Sequence, residues 1–309
     1  MREPRPENAA SDDSKSADTR ERALARIAVR PPYFGLGAME HRGDGVVAAL
    51  VPASPPVAPE RGAVEAAQVA RHLAILGSCA AALSRDDDQP HHYLATKAHF
   101  ARLSGGPDAV QGGILEAEAV ASWIDRRNAR ALVKLITTDG HGLHLLDVHY
   151  SVLTPKMFTR LHPPVELTAD DAVAGAGTDV GEIVTLDREG IEVDGGIIPA
   201  GACAGHFPGY PAAPVAIVMG RLCRAAGLAL SARLDAEIAY QIEEGHVVAS
   251  RLARAGQRLA LAASYERPIS GGHLLRGTAT ADGEVVGEVS VTMSVTEASD
   301  RVLVTPVGH

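Results

Sequence analysis

The feature that most constrains the fold of this chain is an internal duplication. Residues 136–152 (ITTDGHGLHLLDVHYSV) align with residues 279–295 (ATADGEVVGEVSVTMSV) at a constant offset of 143. Each segment reads as a strand, an Asp-Gly turn and a second strand. Asp-Gly is favoured in type I′ hairpins because both central residues need a positive φ. The matched register of both strands predicts two copies of a larger unit.

A second match lies earlier in each half. The segments VPASPPVAPERGAVE and HFPGYPAAPVAIVMG align at an offset of 155, which places Pro56 on Pro211 and Pro59 on Pro214. Both segments run into Ala-rich stretches that predict helices, AAQVARHLAILGSCAAAL and RLCRAAGLAL. The two offsets differ because the first half has longer connections.

Each half is therefore expected to contain a Pro-rich approach, one long apolar helix and then several strands. Short runs such as ALVKLITT in the first half, and AEIAYQI, HVVASRLA and LLRGTATA in the second, are separated by turn signals and indicate antiparallel sheet. A helix that is apolar on several sides needs cover, which a curved sheet wrapped around it provides. We predict an α+β fold with two curved antiparallel sheets, each wrapped around a long central helix.

The predicted boundaries follow from composition. Residues 1–22 lack the apolar core of a secretory signal and are expected to be a disordered tail. The first unit covers 23–160, and the second covers 179–300. The stretch LHPPVELTADDAVAGAGT, residues 161–178, is expected to link them. Residues 301–309 form a second tail.

Composition and charge exclude several classes of function. The net charge of −9 argues against general nucleic-acid binding. No apolar run reaches the roughly 18 residues of a membrane span, so no membrane partner is expected. Three cysteines without a CxxC pair favour a reducing cytoplasm over a disulfide framework or a zinc site. The histidines form no clean ligand triad, so neither a metal nor another cofactor is expected.

One motif points to a family. The run Gly205-His206-Phe207-Pro208-Gly209-Tyr210-Pro211, with Pro214 three residues on, resembles the signature of the β-hydroxyacyl-ACP dehydratases of the FabZ/FabA type. Those proteins have the hot-dog fold, a sheet wrapped around a central helix. The resemblance is clear over roughly 180–296 and weaker over 28–153. Together with the duplication, it implies a double hot-dog, a pseudo-dimer in one chain.

The departures from the signature imply where the active site lies. In the family, an acid follows the His by fourteen positions, and each site combines the His of one unit with the acid of the other. Here Gly220 stands fourteen positions after His206. In the first half, the offset of 155 places Val51 at the His position and Glu65 at the acid position. The resemblance therefore predicts one site, with His206 as base and Glu65 as acid.

Four further residues are predicted to bind substrate. The N–H of Gly209 and the N–H near Val215 are candidates to stabilise a thioester oxyanion. Phe207 belongs to the same motif, and Gln68 follows Glu65 by three residues on the expected helix. Purely structural roles stay open for these residues. His206 could be a loop histidine that binds backbone carbonyl groups, Glu65 could be a solvated acid in the first helical turn, and Gln68 could lie at the helix surface.

The resemblance implies dehydration of a 3-hydroxyacyl thioester, or the reverse hydration, with the acyl group carried on an acyl carrier protein (ACP) or on CoA. The expected state is a monomer, already a pseudo-dimer, or a homodimer. Two alternatives stay open. One is an acyl thioesterase, or an acyltransferase of the γ-butyrolactone-biosynthesis hot-dog type. The other is a non-catalytic acyl-carrier-binding protein.

Overall fold

The computed structural model describes residues 9–52, 56–103, 114–137, 140–162 and 180–297. The elements of the first half are α1 (Ala9–Arg26), β1 (Met39–Arg42), β2 (Val46–Pro52), α2 (Ala66–Leu83), β3 (His92–Arg102), β4 (Ile114–Trp123), β5 (Asn128–Ile136), β6 (Gly142–Leu153) and α3 (Pro155–Leu161). Those of the second half are β7 (Glu182–Leu186), β8 (Gly190–Ile197), β9 (Ala212–Ala213), α4 (Val215–Leu234), β10 (Ile238–Ala249), β11 (Ala253–Arg254), β12 (Arg258–Ile269), β13 (Gly272–Ala281) and β14 (Glu284–Glu297).

The two halves have the same topology. The twelve strands of the main sheet run in the order β1-β2-β4-β5-β6-β3-β10-β14-β13-β12-β8-β7, so the second six repeat the first six in mirror order. All of these neighbours are antiparallel. The halves join through β3 and β10, where His99 lies opposite His246. The expectation of two separate sheets is corrected in this respect, because the edges of the half-sheets pair with each other.

The helices α2 and α4 are the cores of the two halves. α2 packs on β4 and β5, α4 packs on β12 and β13, and the two helices touch each other. By length and composition both are apolar enough to cross a membrane. Their apolar side chains are used inside the fold, where Leu73 and Leu76 of α2 and Leu222 and Leu230 of α4 are fully buried. Burial against a sheet therefore accounts for their hydrophobicity.

The second Asp-Gly hairpin is confirmed. Asp282 and Gly283 have φ angles of 50° and 79°, and they connect β13 to β14 as a type I′ turn requires. In the first hairpin, Gly140 has a φ of 87°. Asp139 lies outside the described residues.

Several sequence expectations are wrong. Residues 9–22 are part of α1, which docks through buried Ala23 and through a hydrogen bond from the Met39 N–H to Ser16 Oγ, 3.1 Å. AEIAYQI and HVVASRLA both contribute to one strand, β10, which pairs with β14 on either side of a bulge between Ile242 and Glu244. The strands that precede each helix, β1 and β2 and then β7 and β8, were not predicted. Residues 163–178 of the expected linker and the tail 301–309 lie outside the described residues.

Candidate active site

A cavity of about 390 Å³ lies where the two halves meet. Its walls come from α2, from the start of α4, and from the central strands β3, β6, β10 and β14. Most of the lining is aliphatic, as at Ala70, Ala74, Met219, Val247 and Val289. A cavity of this size with apolar walls and few polar groups is typical of a small-molecule site and suits an acyl chain.

His206 is one of the few polar groups in that wall. It lies in the loop before α4, where Phe207 and Gly209 adopt φ angles of 53° and 84° and the Tyr210 N–H bonds to the Phe207 carbonyl at 2.8 Å. This tight turn carries the imidazole into the interior, where only 9% of the residue is exposed. The glycine at 209 is suited to a positive φ that other residues adopt at a cost.

The hydrogen bonding of His206 determines its tautomer. Nδ1 lies 2.9 Å from the Ala212 carbonyl oxygen, and since that oxygen only accepts, Nδ1 carries the hydrogen. Nε2 therefore has a free lone pair, and it has no hydrogen-bond partner among the described residues. Burial lowers the pKa of His206 to about 4, so the ring is neutral near pH 7. A neutral imidazole with an available Nε2 is equipped to act as a base.

The N-terminal segment holds the His206 loop in place. Val29 pairs with His206 as an antiparallel bridge, and the Arg30 N–H bonds to the Gly205 carbonyl at 2.7 Å. The Tyr33 ring lies 5.0 Å from the His206 ring. On the other side, Phe207 packs against Phe158 of α3 at 5.2 Å. The first half of the chain thus positions the functional loop of the second.

The start of α4 supplies backbone donors. Pro214 is the N-cap and makes no side-chain cap. Val215 and Ala216, the first two helical residues, both line the cavity. The first N–H groups of a helix have no acceptor within it, and the helix dipole makes this end favourable for negative charge. These two groups have no acceptor in the described part of the chain, so they are available to a ligand.

The other predicted site residues divide into two groups. Phe207 and Val215 line the cavity with His206, whereas Glu65, Gln68 and Gly209 do not. Glu65 is the N-cap of α2 and is 8% exposed. Its Oε1 forms an ion pair with Arg224 Nη2 at 2.9 Å. The backbone carbonyl of Gln68 accepts a hydrogen bond from His72 Nδ1 at 2.8 Å. The structure does not bring Glu65 into the cavity wall beside His206.

The alignment that selected Glu65 is wrong. Pro214 directly precedes α4, but Pro59 lies six residues before Glu65, the N-cap of α2. The two approach loops therefore differ in length, and the prolines are not equivalent. Val51, placed at the His position, lies in strand β2. When the helix starts are matched instead, the sixth residue of α4 is Gly220 and the sixth residue of α2 is Arg71.

Arg71 is the site residue that sequence reasoning missed. It lines the cavity, and its guanidinium carbon lies 5.4 Å from the centre of the Tyr33 ring. Arg71 is the one Asp, Glu, Lys or Arg residue in the apolar sequence of α2, a signal that was present in the sequence. An arginine stays protonated and has no acceptor, so it cannot protonate a leaving hydroxyl as a carboxylic acid does.

The loop of the first half that is equivalent to the His206 loop contains carboxylates and no histidine. The loop before α2 pairs with the start of β10, through the Arg61 N–H and the Tyr240 carbonyl at 2.7 Å. In this loop, buried Glu60 accepts the Ala66 N–H at 2.9 Å, and burial raises its pKa to about 7. The nearby Glu65 charge also raises it. This second polar cluster contains no histidine between residues 56 and 65.

Ligand-type side chains also meet on the outer face of the sheet. His99 Nε2 lies 2.7 Å from Glu244 Oε1, and His246 Nε2 lies 3.2 Å from the same oxygen. Because Ala98 and Phe100 line the cavity, the alternation of a strand points His99 to the opposite face. This group is therefore separate from the cavity.

Sequence comparison finds no match, either to a protein-family model or to a curated protein. Comparison with solved structures does. A TesB protein of Mycobacterium avium subsp. paratuberculosis superposes with a TM-score of 0.53 at 14% identity, covering 91% of this chain and 99% of that one. The 12:0-ACP thioesterase from Umbellularia californica gives a TM-score of 0.55 at 11% identity, covering 82% and 95%. A putative oleoyl thioesterase from Lactobacillus plantarum gives 0.53 at 10% identity, covering 81% and 96%.

This chain has the hot-dog fold. The specific resemblance to the FabZ/FabA type is not supported, because most of the similar structures are named thioesterases. The prediction of a 3-hydroxyacyl-thioester dehydratase is wrong on the same finding. Arg71 gives a physical reason for this correction. When the helix starts are matched, it occupies the position at which a dehydratase of this type needs its acid.

Proposed function

We propose that this protein hydrolyses acyl thioesters, with His206 as the base in a cavity shared by the two halves. The observation that carries the proposal is the free Nε2 of His206 in the wall of an apolar cavity, with Nδ1 held by the Ala212 carbonyl. The thioesterase names of the structures with the same fold support this chemistry. The thioester would be carried on CoA or on an ACP.

We further propose that the chain is a double hot-dog. The mirror order of the strands about the β3–β10 pair supports this description, as does one central helix in each half. Two hot-dog units joined in this way form the pseudo-dimer around one shared cavity. In such an arrangement the two symmetry-related loops are free to diverge, and here one retains a histidine whereas the other has Glu60.

The reaction follows from the groups in the cavity. The acyl chain lies against the aliphatic wall, and Nε2 of His206 removes a proton from a water molecule that attacks the thioester carbon. The carbonyl oxygen becomes negative and is stabilised by the Val215 and Ala216 N–H groups at the start of α4. The C–S bond then breaks, and the imidazolium returns its proton to the leaving thiolate. The products are a free carboxylic acid and a free thiol.

Burial determines the protonation state of His206 before the reaction. The lowered pKa keeps the ring neutral at physiological pH, so Nε2 carries no proton when substrate binds. Its imidazolium form is destabilised by burial and is expected to release the proton readily to the thiolate. The apolar lining of the cavity lowers the local dielectric constant, which strengthens the backbone hydrogen bonds to the oxyanion.

The proposal is tested by incubating the purified protein with acyl-CoA substrates in water labelled with ¹⁸O. A thiol reagent measures CoA release, and mass spectrometry measures the acid. Hydrolysis predicts equal amounts of thiol and acid, with one labelled oxygen in each acid molecule. If no thiol is released from any CoA or ACP thioester over a series of chain lengths, the proposed function is wrong.

A further inference from the structure

Arg71 is a charged side chain in an aliphatic wall. It projects from the second turn of α2 and lines the same cavity as His206. Its Nε is buried and has no hydrogen-bond partner. The residue is half-buried, and this burial lowers the pKa of the guanidinium. A cation of this kind in an acyl-binding cavity needs a physical explanation.

No ion pair among the described residues neutralises Arg71, and the Glu65 charge acts on it only from beyond ion-pair distance. Within the described ranges, no carboxylate lies at ion-pair distance from it. The nearby acid, Glu65, is already paired with Arg224 at 2.9 Å. The guanidinium carbon lies over the face of the Tyr33 ring, 5.4 Å from its centre. A cation–π contact stabilises a cation but leaves its hydrogen-bond donors unused.

A half-buried guanidinium whose Nε has no hydrogen-bond partner is stabilised when a ligand satisfies it. Burial of a charge is unfavourable without a partner of opposite charge, and arginine binds carboxylates through two parallel N–H bonds. The thioester group is neutral before attack, so it does not supply this partner in the bound substrate. A permanent anion elsewhere on the ligand does.

Arg71 and His206 lie on the same side of the cavity. The Tyr33 ring lies 5.0 Å from the His206 ring and 5.4 Å from the Arg71 guanidinium, so one aromatic ring has both groups as neighbours. A ligand whose thioester lies at His206 would therefore bring a later part of its acyl chain within reach of Arg71.

We propose that Arg71 binds a carboxylate on the acyl chain, so that the preferred substrates are thioesters of dicarboxylic acids. This inference rests on the proposed hydrolysis for its choice of thioester. The arginine would pair with the second carboxylate, and the aliphatic wall would hold the methylenes between the two ends. A monocarboxylic acyl chain of the same length would leave the guanidinium without an anion.

Binding is measured first, because it does not depend on catalysis. Non-hydrolysable thioether analogues of suberyl-CoA and octanoyl-CoA differ by one carboxylate and are titrated by calorimetry into the wild-type protein. Glutaryl and adipyl analogues, each with its monocarboxylic counterpart, cover shorter distances. We expect at least one dicarboxylic analogue to bind roughly 10- to 100-fold more tightly than its partner, the range for a hydrogen-bonded charge pair.

The Arg71→Met variant is expected to abolish that preference and to leave the affinity for the monocarboxylic analogue unchanged. Methionine keeps the unbranched shape without the charge. Arg276→Met is the control, since Arg276 is an exposed residue of β13 that pairs with Glu266. It should retain the wild-type preference. The melting temperatures of the variants show whether each remains folded.

Two results overturn the inference. One is equal affinity for every dicarboxylic and monocarboxylic pair in the wild type. The other is an equal loss of both affinities in Arg71→Met, which would assign Arg71 to a part common to both ligands, such as the CoA phosphates. A carboxylate preference without thiol release from suberyl-CoA would support the Arg71 site and contradict the proposed hydrolysis. The two proposals therefore fail separately.

Discussion

Replacement of Glu60 with glutamine should stabilise the folded protein at pH 8 and have a small effect at pH 5. Glu60 is 5% exposed, and burial raises its pKa from 4.5 to about 7 in the folded state. Its Oε1 accepts the Ala66 N–H at 2.9 Å, and a glutamine oxygen accepts the same bond. The substitution therefore removes the cost of a buried negative charge and keeps the hydrogen bond that caps α2.

The sign follows from proton binding. Between pH 4.5 and 7 the folded state holds a proton on Glu60 that the unfolded state has released, so stability falls as pH rises through this range. Each pKa unit corresponds to about 1.4 kcal/mol, so the full cost above pH 7 is about 3 kcal/mol. At pH 5 most of this cost is absent, and the expected gain is about 1 kcal/mol or less.

Urea denaturation of the wild type and Glu60→Gln at pH 5 and pH 8 measures the difference in unfolding free energy. Glu288→Gln is the matched control, because Glu288 is exposed and should show no pH-dependent gain. The reasoning is refuted if Glu60→Gln stabilises equally at both pH values, or if it destabilises the protein at pH 8. Either result would mean that Glu60 is ionised at little cost in the folded state.

Two further predictions concern packing and acid stability. A Cβ at Gly227 would lie 2.2 Å from the Tyr240 ring, so Gly227→Ala should lower the unfolding free energy by about 1–3 kcal/mol. Gly43 has open space around it, so Gly43→Ala should leave the unfolding free energy unchanged. Equal effects of the two substitutions in urea denaturation would contradict this prediction. His144 stacks on Phe100 and its pKa is lowered to about 4 by burial, so its contribution to stability is lost as pH falls from 6.5 towards 4. His144→Phe should gain about 2 kcal/mol relative to wild type on going from pH 7 to pH 5, and a constant difference would contradict the shift.

The sequence predicted the parts of the fold that local physics determines. The Asp282-Gly283 turn, the apolar helices and the His206 loop all follow from short-range preferences that tertiary contacts did not override. Among the strands before each helix, β7 escaped notice because it is exposed along its whole length and has no alternating pattern. α1 was missed because a polar helix resembles a solvated tail until its docking partners are known.

The site was predicted in part for a similar reason. The position of His206 depends on a compact turn, which its own residues specify. The residue that faces the cavity from α2 depends on where that helix begins, and Glu65 rather than a proline is its N-cap. A shift of six residues replaced Arg71 with Glu65 in the alignment, and it replaced a permanent cation with a carboxylic acid. The chemistry inferred for the site changed accordingly.

The central claim is that His206 is the base for thioester hydrolysis, and the rate of thiol release from an acyl-CoA substrate tests it most directly. His206→Gln is compared with His246→Gln, a histidine on the opposite face of the sheet with a largely exposed side chain. We predict that His206→Gln lowers kcat by roughly 100- to 10,000-fold without loss of the fold, and that His246→Gln has the wild-type rate. Equal rates for folded His206→Gln and wild type would contradict the claim.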